Sequence, residues 1–137
     1  MDRDLFKINL DELRYDDVLQ FTGILRPETE RPKERIRLDF NEKLPDDLGD
    51  VITAFANTYG GLVILGVKCD KSKQNIPVGI LGIPGTPDIK STIVSKILST
   101  VYPRPFFSVG VAVHDQKLDH VVVVIRVEES RIAPHMS

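Results

Sequence analysis

The stretch Ala54-Phe55-Ala56-Asn57-Thr58-Tyr59-Gly60-Gly61, running on into Leu62-Val63-Ile64-Leu65-Gly66-Val67, decides how this 137-residue chain folds. Just upstream, Leu48, Val51, Ile52, Phe55 and Ala56 recur at i, i+3, i+4, i+7 and i+8. That spacing is one apolar face of a helix, and Pro45-Asp46-Asp47 opens it. Asn57 to Gly61 ends it, because glycine tolerates the positive φ of a helix C-cap. The same glycine turn offers backbone N–H groups to an anion, but capping is reason enough for Asn and Gly there. The apolar run that follows has the length and composition of a buried central strand.

Working outward, Ile36, Leu38 and Phe40 alternate with Arg37 and Asp39, the period of a half-buried strand. Leu10 to Phe21 reads as a weak helix, and Arg26 to Arg35 as a polar connector interrupted by Pro27 and Pro32. Downstream, Lys68 to Asn75 is a polar turn and Val78 to Ile83 its hairpin partner. Ile89, Ile93, Ile97 and Val101 mark a second amphipathic helix, which Pro103 and Pro105 end. Val109, Val111 and Val113 alternate before Asp115-Gln116-Lys117 turns the chain into a β-branched strand, His120 to Val127. The pattern predicts a single α+β domain: a mixed or antiparallel sheet built from hairpins and covered by two amphipathic helices.

Composition narrows the class. The chain is 42% hydrophobic and 28% charged, as a globular domain is. It has no apolar run long enough to span a bilayer, and its charged start, Met1-Asp2-Arg3-Asp4, is not a signal peptide. The single Cys69 excludes an internal disulfide and lacks zinc-ligand spacing. A reducing, cytoplasmic setting without membrane contact is expected. The net charge of −2 excludes a uniformly basic protein. Its distribution is uneven, with 14 acids and 9 bases in residues 1–50 against 6 acids and 9 bases in residues 51–137. A local phosphate-binding face in the second part is compatible with that bias.

The order of Leu38-Asp39-Phe40-Asn41, Ala54 to Gly61, Gly66-Val67, Val78-Gly79 and Ser130 to Pro134 resembles the Schlafen AlbA-like domain family, also called the divergent AAA-associated, DNA-binding type. The resemblance covers residues 30–137 and leaves 1–29 as an N-terminal helical or extended segment. It implies a domain taken from a longer protein, in keeping with a chain that stops soon after a strand. Bacterial and archaeal members of that family are described as DNA-binding or transcription-regulator modules. The animal Schlafens are endoribonucleases with three carboxylates around a divalent metal.

Carried onto this chain, the first two carboxylates fall on Glu34 and Asp39, with the five-residue spacing kept. The third falls on Cys69, with Asp70 one residue later, and a one-residue shift reverses side-chain direction in a strand. The family's Glu and Lys in the first strand are replaced by Asp39 and Asn41. A site of Glu34, Asp39 and Asp70 would hold Mg2+ or Mn2+, since hard cations take oxygen ligands and metal-assisted phosphodiester cleavage needs an activated water.

For nucleic acid, Arg35 and Arg37 beside the first strand and Lys68, Lys71 and Lys73 on the hairpin are the candidate phosphate contacts. The acids Glu28, Glu30 and Glu34 dilute the first group; only Asp70 interrupts the second. His114 and His120 flank the last turn, too few for a metal site, and His135 is placed in the tail. Tyr102, Phe106 and Phe107 read as corner packing, with base stacking as the alternative. The leading expectation is a nucleic-acid-binding domain, for DNA or RNA, of a regulatory or defence-type protein with further domains. A metal-dependent endoribonuclease comes second. An assembly module, a homodimer through an exposed sheet edge included, comes third.

Overall fold

The computed structural model describes residues 3–32, 37–130 and 134–136. Among them the chain forms three α-helices, α1 (Tyr15–Thr22), α2 (Leu48–Ala56) and α3 (Ile89–Thr100). The strands are β1 (Leu38–Asn41), β2 (Gly61–Leu65), β3 (Val67–Asp70), β4 (Ile76–Ile80), β5 (Ile83–Pro84), β6 (Phe107–Val113) and β7 (His120–Val127). The main sheet is mixed. Central β7 pairs antiparallel with β6 on one side and with β2 and β5 on the other, and β1 adds parallel to the outer side of β2. The α+β class expected from the sequence is the one observed.

Both faces of the sheet are covered. Val63 and Leu65 of β2 and Val121, Val123, Ile125 and Val127 of β7 pack under Leu48, Ile52 and Phe55 of α2 and Ile93 and Ile97 of α3. The opposite face, with Leu38, Phe40, Leu62, Ile64, Val122 and Val124, is covered by Leu5, Leu10, Leu13 and Val18. The N-terminal segment is thus part of the core. This explains why β2 is buried along its whole length, the pattern of a strand with two covered faces. Arg126 fastens the segment: one terminal guanidinium nitrogen donates to the carbonyls of Leu5, at 3.1 Å, and Ile8, at 2.8 Å.

Three local differences from the sequence reading have physical causes. The expected first helix starts only at Tyr15, after a 3-10 turn at Leu10–Glu12. The run Leu62 to Val67 is broken at Gly66, whose φ is +96° and whose missing Cβ leaves room for the Gly82 backbone; a Cβ there would lie 2.8 Å from the Gly82 Cα. This crossing turns β3 out of the main sheet into a separate hairpin with β4, while β5 returns to β7. His135 is also buried, at 3% exposure, and not part of a loose tail.

Candidate nucleic-acid interface

The helix-ending motif is committed to holding strands together. Gly60 has φ +73°, its N–H donates to the Phe55 carbonyl at 2.8 Å, and a Cβ on it would sit 2.4 Å from the Val127 carbonyl oxygen. Gly61 lies close to Arg37, where a Cβ would meet the carbonyl oxygen at 2.9 Å. Asn57 clasps the C-terminal segment: its amide nitrogen donates to the His135 carbonyl at 3.0 Å, and its amide oxygen accepts from the His135 N–H at 2.7 Å. The Ser130 N–H donates to the Ala56 carbonyl at 2.8 Å. The His135 ring, in turn, bonds the Pro103 carbonyl and the Ser130 hydroxyl. These groups have structural partners, so an anion-binding turn is not what the motif forms.

Beyond the C-terminal end of β1 lies a groove of about 530 Å³. Strand alternation builds its first wall. Leu38 and Phe40 point into the core, which leaves Asp39 and Asn41 on the other side, with Glu42 and Lys43 following. The Asn41 side-chain amide donates to the Asp39 carboxylate at 2.7 Å. The β3–β4 hairpin supplies the second wall through Cys69, Lys71 and Asn75. Asn75 and its neighbour Gln74 have φ of +56° and +61°, which makes the tight tip of the hairpin.

The structure sorts the expected site residues. Asp39 and Cys69 line one groove, as the strict residue count along the strand implies. Asp70 is turned to its own loop, where its carboxylate accepts from the Ser72 N–H at 3.0 Å and the Ser72 hydroxyl at 2.6 Å. The side-chain bond from Ser72, then the backbone one, hold the Asp70 pKa below the ordinary aspartate value. Glu34 and Arg35 lie outside the described residues. Among the described residues no three His, Cys, Asp or Glu side chains gather as a metal requires. A thiol in the third place also suits Mg2+ or Mn2+ poorly. The described donors therefore do not fit a hard divalent cation.

The expected bases divide as well. Lys73 pairs with Glu28 at 2.9 Å, and that hydrogen bond raises the lysine pKa. Lys68 and Lys71 are exposed, and Lys43, which the sequence reading passed over, stands with Lys71 on the groove. None of these three has a hydrogen-bond or ion-pair partner among the described residues. Arg37 is at the opposite end of β1, its guanidinium 5.0 Å from the centre of the Phe6 ring. The signal for Lys43 was its place two residues past β1, where the chain leaves the sheet edge.

The histidines are structural. His114 is buried; its Nε2 bonds the Ile80 carbonyl at 2.8 Å, while its Nδ1 accepts from the Gln116 and Lys117 N–H groups. The His120 ring bonds the Asp119 carboxylate, and its backbone carbonyl accepts from the His114 N–H at 2.9 Å. Phe107 is half-buried, whereas Tyr102 and Phe106 are exposed, contrary to the packing expected of them. No described helix is long and apolar enough to cross a membrane.

Comparison with known proteins places this geometry. The family model described as Schlafen, AlbA_2 matches residues 29–137. No curated protein matches the chain. Among solved structures, it is similar to the solution NMR structure of the N-terminal domain of a protein from Nitrosomonas europaea described as related to the ATP-dependent DNA helicase RecG. The two are 18% identical with a TM-score of 0.56, over 72% of this chain and 66% of that one. This chain thus spans just under two thirds of that neighbour, and the likeness is one of fold.

Proposed function

The chain belongs to the Schlafen, AlbA_2 family, and from that membership and the groove we propose that it is a nucleic-acid-binding domain of a longer regulatory or defence-type protein. The observation that carries the reading is the set of exposed lysines without partners, Lys43 and Lys71 on the groove and Lys68 on the same hairpin. Lysine ammonium groups at a groove rim meet backbone phosphates as point charges, and the amides of Asn41 and Asn75 can donate to phosphate or base oxygens. The description of the fold neighbour as helicase-related is in keeping with this. Phosphate contacts of this kind position a nucleic acid without reading its sequence. Specificity then comes from further domains or a partner.

The test is incubation of the protein with labelled structured RNA and with duplex DNA, in manganese and in chelator, on native and denaturing gels. The expected result is retardation on the native gel with intact nucleic acid on the denaturing one. Chelator-sensitive fragments that disappear in Asp39→Asn would replace binding by cleavage as the function. The absence of either effect at low salt would refute the reading.

A further inference from the structure

A second cavity, of about 400 Å³, lies at the other end of β1 and is formed jointly by the N-terminal segment and the family-matched part. Lys7 comes from the former; Arg37, Tyr59 and Arg126 come from the latter. Two acids line it as well, but each is engaged. The Asp4 carboxylate accepts from the Phe6 N–H at 2.9 Å, and Glu128 faces the Arg126 guanidinium at 3.7 Å. Arg126 itself is held by the carbonyls of Leu5 and Ile8. Among the described residues Lys7 is exposed without a partner, and Arg37 lies over the Phe6 ring with no acid paired to it. Tyr59 is 62% exposed beside these cations, although it sits inside a motif whose neighbours Asn57, Gly60 and Gly61 are all tied into the fold. Most of this aromatic residue's surface is therefore open to solvent.

We infer that this cavity binds one unstacked nucleotide of a single-stranded nucleic acid, with the base on the Tyr59 ring and the phosphate between Lys7 and Arg37. An exposed aromatic rimmed by cations is the arrangement that holds single strands, since any base can stack and any phosphate can pair. A duplex keeps its bases stacked and does not offer one. The cavity is of ligand-binding size. Both cavities border β1: Arg37, just before the strand, lines this one, and Asp39 and Asn41 within the strand line the lysine groove. One single strand laid along the sheet edge would therefore engage both. This inference rests on the nucleic-acid reading above and adds a strand preference and a contact point to it.

The test is fluorescence anisotropy of a labelled single-stranded oligothymidylate and of a short duplex, against the intact protein and its variants, with thermal melts to check folding. Tyr59→Ala should weaken single-strand binding about fivefold to tenfold, the lower part of the range for one stacked base. Tyr59→Phe should restore it, and duplex binding should not change. Lys7→Ala should reduce the single-strand salt slope by about 0.7. Thymidine monophosphate competing as well as the oligonucleotide per phosphate would identify a free nucleotide as the ligand and overturn the single-strand assignment. If Tyr59→Ala binds the single strand like the parent while Lys43→Ala/Lys71→Ala is weakened, the inference fails and the nucleic-acid reading stands. If the parent binds neither probe at low salt, both fail.

Discussion

Two regions at the edge of one sheet contrast sharply. The helix-ending motif, Ala54 to Gly61, is the part of the chain with the most recognisable sequence, and most of its polar and glycine positions serve the fold. The groove beyond β1 is built from an ordinary strand end and a hairpin tip, yet it holds the lysines without partners. The contrast teaches that a family's most legible residues need not be those that meet its ligand. Gly60 and Asn57 are specified by close approach and by a peptide to be clasped, which permit few substitutes. Lys43 and Lys71 are specified only by charge and reach. Tyr59 departs from the rest of its motif: it is exposed and lines the second cavity, at the opposite end of β1 from the groove.

The largest effect should come from Gly60→Ala. Both the positive φ and the carbonyl 2.4 Å from the added Cβ oppose it, so a loss of at least about 3 kcal/mol is expected in chemical denaturation. A loss below about 1 kcal/mol would show that the strand ends can separate, and the contrast would collapse. Asn57→Ala should lose about 2 kcal/mol, from two hydrogen bonds with the His135 peptide, while leaving nucleic-acid affinity in the folded protein unchanged. A large drop in affinity at unchanged stability would move Asn57 to the functional side.

Lys43→Ala and Lys71→Ala should do the reverse. Stability should stay within about 0.5 kcal/mol, as for exposed residues away from special features, while each substitution makes the duplex salt slope shallower by about 1. The smallest effect concerns Asp70. Its pKa is lowered in the folded state by the Ser72 bonds, so its contribution to stability is present above the unfolded value and is lost as pH falls through the folded one. The difference in melting temperature between the parent and Asp70→Ala should therefore shrink on acidification below the ordinary aspartate range. A difference that grows there would give the Asp70 carboxylate another role.

The periodicity of α2 and α3 and the alternation in β1 and β6 made most of the fold legible, because each element repeats its core contacts along its length. What was hidden depended on contacts far apart in the sequence. The break at Gly66 is explained by Gly82, and the burial of His135 by Asn57 and Pro103. The role of residues 1–29 was hidden for the same reason. Leu5, Leu10 and Leu13 are too irregularly spaced to announce a sheet-covering segment, and only the second face of the sheet gives them a purpose. In the candidate site, the one-residue shift from Cys69 to Asp70 was legible in the residue count, but the direction of the Asp70 carboxylate was not. That Asp70 would cap its own turn through Ser72, and that Lys73 would be neutralised by Glu28, needed the hairpin's path in space.

The most direct measurement is the affinity for duplex DNA across a salt series, for the parent and for Lys43→Ala/Lys68→Ala/Lys71→Ala. Three phosphate contacts, from Lys43 and Lys71 on the groove and Lys68 on the same hairpin, predict that the parent's log affinity falls against log salt more steeply than the triple variant's, by a slope difference of about 3. Equal slopes for the two proteins, or a flat response in the parent, would contradict a lysine groove as the nucleic-acid interface.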